Sequence, residues 1–157
     1  MKKLFIKTYG CQMNFYDSDH MSNLLKDSGY TVSEEVKEAD LVILNTCHIR
    51  DKAAEKVYSD LGRIKKVYEN NHLRKPIIAV TGCVAQAEGK EITKRSPWVD
   101  LVVGPQAYTD LPKLIEKIKH KPDHKEINLQ FPEVPKFDLL NFESKKSKVS
   151  DFITIQE

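Results

Sequence analysis

Short apolar, β-branched runs alternate with segments of helical periodicity along most of this chain, and that alternation restricts its fold more than any other feature. Residues 4–9 (LFIKTY), 41–45 (LVILN), 77–80 (IIAV) and 100–103 (DLVV) read as strands. Residues 30–33 read as a shorter second strand and 126–129 as one more at the end of the series. The run at 41–45 is apolar without alternation, as expected of a strand covered on both faces. A helix is expected over 16–28, with Asp17 and Asp19 at its start, Met21, Leu24 and Leu25 on one face, and Gly29 as its stop. A longer one is expected from about 51 to 70, where Ala53, Ala54, Val57, Tyr58, Leu61, Ile64 and Tyr68 keep the i, i+3, i+4 spacing. Residues 84–95 and 111–119 complete the set, the latter with Asp110 as cap and Pro112 in its first turn. Strands alternating with helices imply parallel pairing through right-handed crossovers. The expected class is therefore α/β, an open, mainly parallel sheet flanked by helices in flavodoxin/Rossmann-like layering, with a C-terminal extended linker.

The texture changes after His120, where Pro122, Pro132 and Pro135 fall among charged residues. Residues 1–120 are expected to form one domain, and 121–150 a linker that carries the extra strand. The chain ends on DFITIQE (151–157), a strand-like run read as the start of a further domain.

With 40% hydrophobic and 31% charged residues, the 157-residue chain has an ordinary globular composition. A formal charge of +2 is too small to argue by itself for a nucleic acid or a membrane partner. The basic start MKKLFIKTYG lacks the apolar stretch of roughly 7–15 residues that a secretory signal needs. No run approaches the ~20 apolar residues that span a bilayer. The expectation is a cytoplasmic protein without a membrane partner, in a compartment where thiols stay reduced.

The three cysteines follow strands at corresponding corners, Cys11 in TYGC, Cys47 in NTC and Cys83 in TGC. In an open parallel sheet the C-terminal strand ends share one edge, where ligands bind. A helix start after each cysteine would favour a thiolate. Gly10 and Gly82, directly before two of them, would let the backbone approach a bulky group. Zinc would want a fourth ligand, for which His48 is the neighbouring candidate. A 4Fe–4S cluster on three cysteines would keep one iron open. A single cysteine after a strand reads more readily as inert core, whereas three at corresponding corners favour a shared site. The fourth corner, Gly104-Pro105-Gln106, carries no cysteine, so topology alone does not force the pattern.

The segments TYGCQMNFYDSD (8–19), NTCHIRDKAAEKVYSDLGR (45–63) and VTGCVAQ (80–86) closely resemble the N-terminal domain of the methylthiotransferases, a branch of the radical S-adenosylmethionine enzymes. The resemblance covers about residues 3–120. It implies that Cys11, Cys47 and Cys83 hold an auxiliary 4Fe–4S cluster, and that Gln12, Asn14, Asn45 and Arg50 line its crevice. It also implies a second 4Fe–4S cluster with S-adenosylmethionine on a C-x3-C-x2-C motif, followed by an RNA-binding domain, and neither motif nor domain is within this sequence. TYGCQMN and NTCHIR resemble the branch acting on N6-isopentenyladenosine in tRNA; branches acting on a ribosomal protein or on threonyl-carbamoylated adenosine would read closer to LGCPKN or LGCKVN. On this reading the chain alone is inactive, and tRNA and the enzyme's own further domains are its partners.

The rival from another class is a flavodoxin-like module with redox-sensing thiols and no cluster. Neither G-x-G-x-x-G nor G-x-x-x-x-G-K occurs, so a nucleotide site ranks last. A third reading takes Arg63, Lys65, Lys66, Arg74 and Lys75 as an RNA-docking surface, although such charge runs are more often solvated faces. Trp98, after Pro97, reads as packing beneath a loop rather than as a stacking platform.

Overall fold

Six strands, β1 (Lys2–Thr8), β2 (Tyr30–Val32), β3 (Leu41–Thr46), β4 (Ile77–Gly82), β5 (Leu101–Val103) and β6 (Glu126–Asn128), lie side by side in a computed structural model that describes residues 1–48 and 52–130. Every pairing is parallel, in the order β2-β1-β3-β4-β5-β6. The helices are α1 (Gln12–Asp27), α2 (Ala53–Asn70), α3 (Cys83–Glu88), α4 (Lys90–Arg95) and α5 (Leu111–His120). The sheet is thus an open α/β sheet flanked by helices, as the alternating pattern requires. Both edge strands are only three residues long, which limits unwanted pairing at the edges.

Side-chain alternation along each strand divides the core in two. Leu4, Leu41, Ile43, Ala79, Leu101 and Val103 pack beneath Met21 and Leu25 of α1 and Leu111, Leu114, Ile115 and Ile118 of α5. On the other face, Val42, Leu44, Ile78, Val80 and Val102 meet Val57, Leu61, Ile64 and Tyr68 of α2 and Val84, Ala85 and Ile92 of α3 and α4. β3 is buried at all six positions, because both helical layers cover it. That explains its unbroken apolar run. Among the described residues no helix is long and apolar enough to cross a membrane.

Three local readings change. α1 starts at Gln12, directly after Cys11, so Asp17 and Asp19 sit in its second turn and do not open it. The start is set by Cys11 itself, which is extended (φ −99°, ψ 175°) while its carbonyl accepts the Asn14 N–H at 3.1 Å. Residues 84–95 form two helices, because Gly89 at φ 51° interrupts the run. Asp110 makes no side-chain cap to α5; its carboxylate accepts the Asn128 side-chain amide at 2.9 Å and tethers β6. The strand expected near 126–129 is β6. The expected linker from 131 onwards and the terminal run 151–157 lie outside the described residues, as does Arg50.

Two glycines offer opposite tests of this backbone. Gly62 lies inside α2 with open space where a Cβ would go. Gly82 ends β4 at φ 90°, ψ −155°, a region essentially reserved for glycine, and a Cβ there would stand 2.3 Å from the Thr46 carbonyl oxygen. Gly62→Ala should stabilise the chain by about 0.5–1 kcal/mol, whereas Gly82→Ala should cost about 2 kcal/mol or more. Urea unfolding of the two variants checks both signs.

Candidate functional site

Register decides where the three cysteines meet. Thr8 of β1 stands opposite Asn45 of β3, and Asn45 opposite Thr81 of β4. These form one polar row across three adjacent strands at their C-terminal ends. The chain runs on from each, reaching Cys11 three residues later and Cys47 and Cys83 two residues later. Neighbouring strands are about 4.8 Å apart, so the three cysteines occupy one edge. β1 and β3 also flank the point where the order 2-1-3-4-5-6 reverses, the usual place for a ligand crevice in such sheets.

The row is held by a buried hydrogen-bond network. Asn45 has no exposed surface, and its amide donates to the Asn14 carbonyl at 2.7 Å and to Ser18 Oγ at 2.9 Å. Its Oδ1 lies 3.4 Å from both the Thr81 and Tyr108 hydroxyls, each of which donates to it. Ser18 Oγ also pairs with Thr8 Oγ1 at 2.8 Å. Asn14, in the first turn of α1, donates to the Thr46 carbonyl at 2.8 Å and accepts the Cys11 thiol at 3.1 Å. Thr46 Oγ1 donates to the Thr81 carbonyl and accepts the Val84 N–H, fixing the start of α3 against β3. One connected set of polar side chains thus locates all three cysteine loops. Each buried member is partnered, as burial of polar groups requires.

The expected site residues fall into distinct places. Cys47 is buried, Cys11 half-buried and Cys83 exposed, so the edge opens to solvent at Cys83. Cys11 stands at the N-cap of α1 and Cys83 opens α3, whereas α2 begins at Ala53, six residues after Cys47. Gln12 is exposed, while Asn14 and Asn45 lie beneath the cysteines. His48 is exposed. Gly10, at φ 96°, packs so closely on Cys47 that a Cβ would stand 2.3 Å from the Cys47 Cβ. The two glycines before cysteines therefore make room for neighbouring protein first of all.

The electrostatics differ from the helix-start expectation. Partial desolvation by the surrounding loops pushes the Cys83 thiol up although the residue is exposed, and the neighbouring Cys47, Cys11 and the buried Asp17 push it further; the His48 backbone N–H acts in the opposite direction. Thiols that oppose one another's ionisation suit a cationic partner, which would reverse the balance. Among the described residues no group of three or more His, Cys, Asp or Glu side chains could hold a single metal ion. A cluster spreads its thiolates more widely than one ion's coordination shell. The donor set among the described residues, three soft sulfurs on one edge, is of the kind that takes an iron–sulfur group or zinc.

Sequence reasoning missed Thr8, Ser18, Thr46, Thr81 and Tyr108. Their one signal was the polar pair Asn45-Thr46 ending an otherwise apolar strand. Of the basic residues read as one RNA surface, three have partners within the chain: Lys65 stands over the Trp98 ring at 4.7 Å, Lys75 pairs with Asp100 at 2.6 Å, and Arg63 pairs with Asp60 at 3.0 Å. Trp98 lines a cavity of about 180 Å³ with Tyr68, Leu73 and Ile78 at the sheet end away from the cysteines.

Fold and edge together define a flavodoxin-like α/β domain whose strand ends present three thiols. Residues 3–104 match the model described as uncharacterized protein family UPF0004, and the chain belongs to that family. It is 56% identical, over 99% of its length, to a tRNA-2-methylthio-N(6)-dimethylallyladenosine synthase of Rickettsia canadensis (strain McKiel), of which it covers 35%. Similar proteins of the same name from Ehrlichia canis (strain Jake) and Rickettsia rickettsii (strain Sheila Smith) are each 55% identical, over 100% and 99% of this chain and 35% and 36% of theirs. The chain spans about a third of the length of these relatives and corresponds to their N-terminal part, as the methylthiotransferase motifs implied.

Replacing Asn45 by alanine removes partners from Asn14, Ser18, Thr81 and Tyr108 at once. With ~1–3 kcal/mol for a buried group left unpaired, Asn45→Ala should lose at least about 2 kcal/mol in denaturant unfolding. Gln12→Ala, on the exposed rim, should lose less than about 0.5 kcal/mol.

Proposed function

We propose that this chain is the N-terminal part of a cytoplasmic tRNA methylthiotransferase and that Cys11, Cys47 and Cys83 together ligate an auxiliary 4Fe–4S cluster. The observation that carries the reading is the convergence of the three cysteines on β1, β3 and β4, in a chain 55–56% identical along its length to proteins named for 2-methylthio-dimethylallyladenosine synthesis. A cluster held by three thiolates supplies an iron with an open position at which sulfur can bind. The chain's own residues do the positioning. Gly10 and Gly82 bring the loops together, Asn14 and Asn45 fix the Cys11 and Cys47 loops from beneath, and Thr46 fixes Cys83 through Val84. Gln12 is proposed for the crevice lining; Arg50, expected there from the resemblance, lies outside the described residues. In the domain scheme, residues 1–120 form the cluster domain, 121–150 a linker whose strand joins the sheet, and 151–157 the entry to a radical S-adenosylmethionine domain. That domain would hold the second 4Fe–4S cluster and S-adenosylmethionine, with an RNA-binding domain beyond it.

Anaerobic reconstitution tests the site. The chain should take up about four iron and four sulfide, and each of Cys11→Ala, Cys47→Ala and Cys83→Ala should sharply lower that content with unchanged circular dichroism. A cysteine replaceable without loss of iron would end the three-ligand reading, and a cluster-free chain would favour a redox-thiol module.

The substrate is proposed to be tRNA carrying N6-isopentenyladenosine, the isopentenyl and dimethylallyl groups being the same substituent as in the relatives' names. At full natural length the enzyme should methylthiolate hypomodified tRNA only when the isopentenyl group is present, and should leave ribosomal protein untouched. Indifference to that group, read by nucleoside mass spectrometry, would overturn the substrate and leave the cluster site standing.

A further inference from the structure

A cationic face begins at the cysteine edge and runs down α2. Lys52, Lys56 and Arg63 share one side of the helix, spaced by one turn and then two. Lys7 joins them from β1, on the sheet face that elsewhere buries Phe5 and Tyr9. A lysine on an inward-facing strand position needs a partner, and it has one in Asp60, whose side chain is only 3% exposed. Asp60 takes Lys7 at 2.8 Å, Arg63 at 3.0 Å and the Tyr9 hydroxyl at 2.6 Å. Burial would raise its pKa, but the hydrogen bonds from Lys7 and Tyr9 and the charges around it hold it below the usual carboxylate range. It stays ionised and fixes two cations in place.

The other charges on this side reinforce the imbalance. Lys7 and Lys56 approach the Tyr9 ring at 5.5 and 5.8 Å, so they are gathered over one surface. Glu55, the acid in the first turn of α2, is turned away into a two-pronged pair with Arg95. Among the described residues no carboxylate lies within ion-pair distance of Lys52 or Lys56, and the one within reach of Lys7 and Arg63 is buried and already saturated. Among the described residues, four cations therefore face solvent here against one sequestered carboxylate. Arg63, 78% exposed in its side chain, keeps most of its guanidinium fork available.

We propose that Lys7, Lys52, Lys56 and Arg63 form a docking face for the phosphate backbone of RNA; this rests on the tRNA reading given above. Cations strung along a helix match a chain of regularly repeated phosphates, and arginine forks are suited to them. Tyr9 is buried beneath the lysines, so the face offers no stacking platform and no base readout, only position. Tyr9 lies two residues before Cys11, so a backbone held here would bring a nucleotide to the edge where the cysteines lie.

The test is fluorescence anisotropy with a labelled anticodon stem-loop RNA across a salt series. Lys52→Glu/Lys56→Glu reverses two charges without touching the Asp60 partners. It should weaken binding by tenfold or more and flatten the dependence of log Kd on log salt by about 1.5. Lys113→Glu/Lys121→Glu makes the same change of net charge on α5 and beyond it, on the other face, and should alter affinity by less than about threefold. Equal losses in the two variants, no loss in the first, or no RNA binding by the unaltered chain would each overturn the proposal. If the first variant instead loses only association with a separately supplied remainder of the enzyme, the face is a protein interface and the RNA assignment is wrong. Iron content after reconstitution, measured on the same variants, reports separately on the cluster reading.

Discussion

A buried amide with no exposed surface must find its partners inside the protein, and Asn45 finds them on every side. It reaches α1 through Asn14 and Ser18, β4 through Thr81, and the turn before α5 through Tyr108. Those bonds form only if β1, β3 and β4 are in the register that aligns Thr8, Asn45 and Thr81. A slip by one residue would send each side chain to the opposite face of the sheet. The apolar layers supply most of the favourable free energy of folding but would tolerate several similar packings. The polar row selects one of them, and the positions of all three cysteine loops follow.

The cysteine edge is also where the fold's electrostatics are least comfortable. Partial desolvation, and then the neighbouring sulfurs and buried Asp17, favour the neutral form of the Cys83 thiol, and the backbone N–H from His48 does not offset them. A protein without a use for this edge would gain from spacing these groups apart. Instead, two glycines in left-handed backbone bring the loops within contact of one another. Close backbone approach and a thiol with a shifted pKa, gathered at the strand ends of a parallel sheet, are features of a functional site. Next to it, Asp60 arranges charge in the opposite sense. Its burial is tolerable because Lys7, Arg63 and Tyr9 saturate it, and saturating it leaves a surplus of positive charge on the outside.

Much of this was legible in the residues. The apolar run at 41–45 announced a strand covered twice, and the spacing from Ala53 to Tyr68 announced α2, because burial on one or both faces leaves a period in the sequence. The corner positions of Cys11, Cys47 and Cys83 followed from the same alternation. Local signals failed where a tertiary contact replaced them. Asp17 looked like the start of a helix but is a buried residue within one. Asp110 looked like a cap but reaches across to Asn128. Gly10 and Gly82 looked like clearance for a ligand, yet each first makes room for protein, the Cys47 side chain and the Thr46 backbone respectively.

By itself, then, the sequence determined the kinds and order of the elements, the layering class, and the fact that each cysteine ends a strand. All of these depend on periods and neighbours within a few residues. Tertiary structure alone decided that β1, β3 and β4 are adjacent, that their polar ends align, and that Lys7 and Arg63 meet on one carboxylate. Strand order and register arise from pairings between residues more than twenty positions apart in sequence, and such pairings leave no period for a linear reading to find.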